Sequence, residues 1–195
     1  MRLSDRSARD LQRNRPAITE MLPVVTERVT YMQHAKDTFY IMLRDRLAAV
    51  NPARTVLVRG VSRPAILVEE NELSSPNGQL DTFRLRWTDL KVYPQCALPL
   101  ATMRCEIHYA TAGNSSNGGL DRGRLLATMD AELAAAVNQT PQRAAKMNYA
   151  ASEAIAMQTK IFWSDVAFNA AATKDDRLER VATVEVFSYQ EAGEL

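Results

Sequence analysis

Apolar residues recur at four-three spacing through the first quarter of the chain. Ile18, Leu22, Val25, Val29, Met32, Phe39 and Leu43 share one helical face, with Thr26, Glu27, Arg28, Gln33, Lys36 and Asp37 between them. The pattern predicts one long helix from about residue 16–24 to residue 50. Pro16 or Pro23 fits its first turn, where no N–H is needed. Asn51-Pro52 stops it, because the residue before a proline avoids the α region. Such a helix spans roughly 40–50 Å.

Beyond residue 52 the period falls to two. Thr55–Val58 and Ala65–Glu70 read as short strands, broken by Gly60 and Pro64, and Phe83, Leu85 and Trp87 alternate with Arg84 and Arg86. The polar stretch 71–80 carries turn chemistry at Pro76, Asn77 and Gly78, so the strands on either side are expected to form an antiparallel hairpin. Residues 93–100 form a proline-bearing connector. Met103, Cys105, Ile107 and Tyr109 then alternate with Arg104, Glu106 and His108 as the clearest strand. After the glycine-rich loop 113–119, Leu120–Val137 reads as an alanine-rich helix with Asp121 near its start. Its buried face is either Leu125, Met129, Leu133 and Val137, or one using Leu126 and Ala136.

Residues 140–160 are alanine-rich and read as partly helical. Ile161–Phe168 reads as a strand with Phe162, Val166 and Phe168 on one face. Val181–Tyr189 is the last strand: Ala182, Val184 and Val186 suit a core, while Val181, Phe187 and Tyr189 lie on the opposite face. These two strands are expected to pair as a second hairpin. The fold class is therefore α+β: a small mixed or antiparallel sheet with two hairpins, flanked by a long N-terminal helix and a second alanine-rich helix.

Residues 1–15 stand apart from this core. Arg2, Arg6, Arg9 and Arg13 would form one basic stripe on a helix, with few apolar residues to anchor it. The expected organisation is a basic extension over 1–15 and one α+β domain over 16–195. The extension lacks the apolar stretch of a secretory signal.

Composition narrows the chemistry. Of 195 residues, 46% are hydrophobic and 24% charged, which suits a packed core, and a net charge of +1 lacks the whole-domain basic footprint of a dedicated DNA binder. The two cysteines, Cys96 and Cys105, form no CxxC pair, and with His34 and His108 they match no zinc spacing, so no metal is expected. Cys105 alternates with core residues, the wrong setting for an exposed thiolate. The loop 113–119 lacks the lysine of a phosphate cradle, and no dinucleotide, P-loop, nucleophile-elbow or zincin motif occurs. Asp165 and Asp175-Asp176 are acid–base candidates that solvation explains as well. Trp87 beside Arg84 and Arg86, and Trp163 beside Lys160, resemble base-stacking platforms. Strand alternation instead sends the aromatic ring inward and the cation outward. No catalytic residue, cofactor or enzymatic activity is expected.

The order of elements resembles the tail-terminator, or tail-completion, proteins of tailed bacteriophages. The resemblance is carried by RPAILVEENEL at 63–73, ATMRCEIHYATAG at 101–113, LDRGRLLATMDAEL at 120–133 and RLERVATVEVFSYQE at 177–191. It implies a structural virion protein, assembled in the host cytoplasm, that forms a homomeric ring of six-fold order. Such a ring caps the tail tube and joins the tail to the head. The implied partners are further copies of the chain, tail tube or sheath, and head-completion or connector proteins. DNA would pass through the lumen without sequence-specific binding, and no membrane is involved. Arg2, Arg6, Arg9 and Arg13, with Pro76, Asn77 and Gly78 at the loop tip, are the candidate partner-binding residues. Two alternatives remain: another neck or connector subunit, and a nucleic-acid-associated assembly protein acting through its arginine-rich arm.

Overall fold

A computed structural model describes residues 32–71, 79–94, 98–113, 120–150, 152–191 and 194. The basic stripe and the loop-tip residues Pro76, Asn77 and Gly78 lie outside the described residues, as do Cys96 and most of the glycine-rich loop.

The helix α1 (Gln33–Val50) buries Ala35, Phe39, Leu43 and Leu47, one residue per turn along one face. Met32, Phe39 and Leu43 of the expected stripe are in the core; the four earlier members lie outside the described residues. The helix ends where expected, with Asn51 N donating to Leu47 O. There follow β1 (Thr55–Val58), β2 (Val61–Pro64), β3 (Ile66–Val68), β4 (Phe83–Tyr93), β5 (Leu100–Thr111), α2 (Leu120–Val137) and β6 (Arg143–Asn148). The chain ends with β7 (Ile155–Trp163), β8 (Ala167–Phe168), β9 (Ala172–Lys174) and β10 (Arg177–Tyr189).

The main sheet has eight strands in the order β3-β4-β5-β10-β7-β6, with β8 and β9 also pairing to β10. β1 and β2 form a separate two-stranded hairpin across Arg59 and Gly60, both at positive φ, the backbone that a two-residue turn requires. Both helices lie on one face of the sheet, α1 over β6 and β7 and α2 over β5 and β10. Phe39 centres this layer, its ring edge-on to Trp87 and to Trp163, each at 5.8 Å. Trp163 Nε1 donates to Val137 O at 2.9 Å, tying sheet to helix. Gly113 (φ +54) lets β5 pass α2 closely, since a Cβ there would stand 2.4 Å from Arg122 Cγ.

Three expectations change. β3 runs parallel to β4, Ile66 beside Phe83 and Val68 beside Leu85, so no antiparallel hairpin spans residues 71–80. Asp81 N bonded to Ala110 O and Phe83 N bonded to Ala65 O fix where β4 starts. The stretch 140–160 holds no helix among its described residues. Arg143–Asn148 and Ile155–Trp163 pair as a hairpin, because ladder bonds and Lys146's buried partners outweigh alanine's helical preference. The strand expected over 161–168 breaks after Trp163. Phe162 stands opposite Phe187, but Phe168 stands opposite Ala182, a one-residue shift of register that moves Phe168 to the helix-bearing face. On α2 the second of the two expected faces is the buried one: Leu126, Met129, Leu133, Ala136 and Val137 are in the core with Glu132, while Leu125 is exposed. The pairing of residues 161–168 with the last strand holds.

Candidate assembly surface

The sheet's second face is covered by no described helix. Alternation places Ala182, Val184 and Val186 inward and leaves Val181, Thr183, Glu185, Phe187 and Tyr189 on this outer face. The register aligns its rows: Arg84, His108 and Val181; then Arg86, Glu106 and Thr183; then Thr88, Arg104 and Glu185; then Thr102, Phe187 and Phe162. The upper rows are charged. Arg104 bridges Glu185 at 2.8 Å and Asp89 at 3.1 Å, and His108 Nε2 lies 3.2 Å from Glu106 Oε2. Exposed pairs of this kind add little to stability but fix the pattern that a partner would meet. The lower rows are aromatic: Phe162 and Tyr189 meet edge to face at 6.5 Å beside Phe187.

Above the charged rows lies a recess of about 310 Å³ lined by Arg84, His108, Lys174, Arg177, Glu179 and Val181. Its lining is mostly charged, unlike the apolar walls typical of small-molecule pockets. His108 thus sits on the outer face as its alternation predicts. Asp175 and Asp176, both at positive φ, form the exposed turn between β9 and β10, and Asp165 accepts from Gln142 Nε2 at 2.8 Å. Asp175 shares the lining of the recess with His108, whereas Asp165 and Asp176 do not line it. Cys105 is fully buried, and burial pushes its thiol far above the usual range, so it is no thiolate nucleophile. Among the described residues no group of three or more His, Cys, Asp or Glu is placed to hold a metal, and no helix is long and apolar enough to cross a membrane. The tryptophans point to the helices while Arg84, Arg86 and Lys160 point away, so neither pair makes a stacking platform.

Two polar clusters escaped sequence reasoning. Arg54, just past α1, donates Nε to Glu132 Oε2 at 2.5 Å and Nη2 to Oε1 at 3.0 Å, and Asn51 Nδ2 adds a bond to Oε1 at 2.7 Å. Glu132 sits on the buried face of α2, where the four-three spacing marks it inward; its polarity hid it. On the other side of the sheet's end, Lys146 holds the C-terminal segment through Tyr189 O and Glu194. The carboxyl of Glu191 is nudged up by burial, but bonds from Thr159, reinforced by Lys146, outweigh this and hold it below the usual range.

No family model matches the chain, and no curated protein matches it. Among solved structures, one chain from the virion of a native gene transfer agent particle aligns with it at 13% identity and a TM-score of 0.30, covering 76% of this chain and 95% of that one.

Proposed function

We propose that this chain is a structural virion protein: one subunit of a ring that caps the tail tube and joins the tail to the head or neck. The reading assigns it no enzymatic activity. The observation that supports it best is the outer face of the sheet, where Phe187, Phe162 and Tyr189 gather beside paired charges with no described helix over them. Aromatic clusters rimmed by charge are the composition of protein–protein contact cores. Head-to-tail contacts between identical subunits would cover such a face and close into a ring when the rotation permits. The element order described above supplies the likeness to tail-terminator proteins, and the test is direct. Cryo-electron microscopy of the tail–neck junction should show this chain repeated around the tail axis. A single copy, or none, ends the reading.

A further inference from the structure

Among the described residues, both ends of the eight-stranded sheet are open. β3 covers β4 only from Phe83 to Leu85, so among the described strands nothing pairs with the far side of β4 from Arg86 to Tyr93. The outward groups on this side are identifiable. Phe83 N donates to Ala65 O and Leu85 O accepts from Glu69 N, so the odd-numbered residues face the edge. The register shifts between Thr88 and Leu90, where Asp89 adopts φ +48. Thereafter Leu90, opposite Met103, and Val92, opposite Ala101, continue the outward series. The bulge at Asp89 and the charge of Lys91 blunt this edge only in part, and apolar side chains remain exposed along it. Leu90 is 55% exposed, Val92 38% and Tyr93 45%.

β6 closes the opposite end of the strand order. Gln142 O accepts from Trp163 N, so Ala144 faces β7 while Arg143 and Ala145 turn their N–H groups to the free side. Beyond the next register shift, Thr38 Oγ1 of α1 takes up Met147 N, which limits the free stretch to the start of β6. β4, β10 and β6 run in the same direction through the sheet, each being antiparallel to its intervening neighbour.

We infer that the free edge of β4 in one copy pairs, parallel, with the free edge of β6 in the next, so that the sheet continues from subunit to subunit. The occupant is a second copy because one contact of this kind uses both open ends of every chain. A symmetric β4-to-β4 contact would leave β6 open in each. The pairing is heterologous, and it either closes a ring or runs on as a filament. It rests on the ring reading above and adds to the outer-face contact a second, separate contact through the sheet edges.

The test uses proline, which deletes one N–H. Val92→Pro and Ala145→Pro each remove only an outward N–H and leave the chain's own ladder bonded. By light scattering across a concentration series reaching the millimolar range, the wild-type chain is expected to form a discrete multimer. Each variant alone should stay monomeric. An equimolar mixture should stop at a dimer with one of each, because only one intact β4 edge meets one intact β6 edge. Val92→Lys, which keeps the N–H but adds charge at the contact, should weaken the multimer at least tenfold and covers the case in which the proline variant misfolds. Wild-type-like multimers from both proline variants would overturn the pairing while leaving the ring reading intact. Dimers from Ala145→Pro alone would indicate the symmetric contact and also overturn it. A wild-type chain monomeric throughout would overturn it as well, and the ring reading would then be decided separately by reconstruction of the particle.

Discussion

Lys146 Nζ, on a side chain with no exposed surface, donates to Glu194 Oε2 at 2.5 Å. It also donates to Tyr189 O at 2.7 Å, so one buried cation ties β6 to the end of β10 and to the chain's last residues.

Removing Glu194 leaves the buried Lys146 charge facing the more distant carboxylate of Glu191, at 3.9 Å. Glu194→Ala is therefore expected to cost about 3–5 kcal/mol in urea unfolding. Lys146→Met combined with Glu194→Gln should recover most of that, since an apolar chain of similar length needs no counter-ion. If Glu194→Ala costs no more than a surface change, the pair does not hold the C-terminal segment.

The cluster also shows which parts of the fold were legible. Period-three-four and period-two spacing placed α1, α2, β4, β5 and β10, because each buries a face whose apolar positions recur regularly. Lys146 breaks that rule. It occupies a core position as a charged residue whose partner lies far along the chain, and the alanines around it suit a helix equally well. The hairpin β6–β7 was thus read as helical. The parallel β3–β4 pairing was missed for a similar reason: turn residues between two strands favour a hairpin locally, whereas the pairing direction is set by Ala65 and Ala110, distant carbonyls invisible to spacing. The outer face was legible as far as alternation reaches, at Phe187 and Tyr189. Phe162 was placed with Phe168 because a one-residue register shift leaves no mark in composition.

Phe39 sits between two tryptophans and has no exposed surface. Phe39→Ala should cost about 3–5 kcal/mol, since the rings of Trp87 and Trp163 belong to different strands and cannot both collapse into the space. Phe39→Leu should cost much less. Denaturant midpoints at unchanged slope would verify this ordering.

Tyr109 donates its hydroxyl to Asp130, which also pairs with Arg180 at 3.1 Å. Burial first, then the bond to the Asp130 carboxylate, raises the phenol well above its ordinary value of 10.0. The folded state therefore holds this proton more tightly than the unfolded chain. That contribution is complete below pH ~10 and is lost as pH rises toward the folded value. Tyr109→Phe should cost about 1 kcal/mol at neutral pH for the lost hydrogen bond. It should also flatten the decline of stability above pH ~10 relative to wild type. Parallel alkaline declines in the two proteins would contradict the assignment.

Val186 and Phe187 are adjacent on β10 and face opposite ways, and this contrast separates folding from assembly. Val186 is fully buried opposite Met103 and Trp163, so Val186→Asp places a charge in the core without a partner. A loss above about 4 kcal/mol is expected, enough to unfold a marginally stable domain. Phe187 is half-buried opposite Thr102 and Phe162 on the face that no described helix covers. Phe187→Asp keeps access to water, so its cost to the isolated chain should stay near 1 kcal/mol or less. In an assembled ring the same carboxylate would be pressed against a neighbour. Particles made with Phe187→Asp as the sole copy should then lack this chain at the tail–neck junction, while the purified variant melts near the wild-type temperature. Normal incorporation of the variant would mean that the outer face meets solvent in the particle, and the contact surface would have to be sought elsewhere on the molecule.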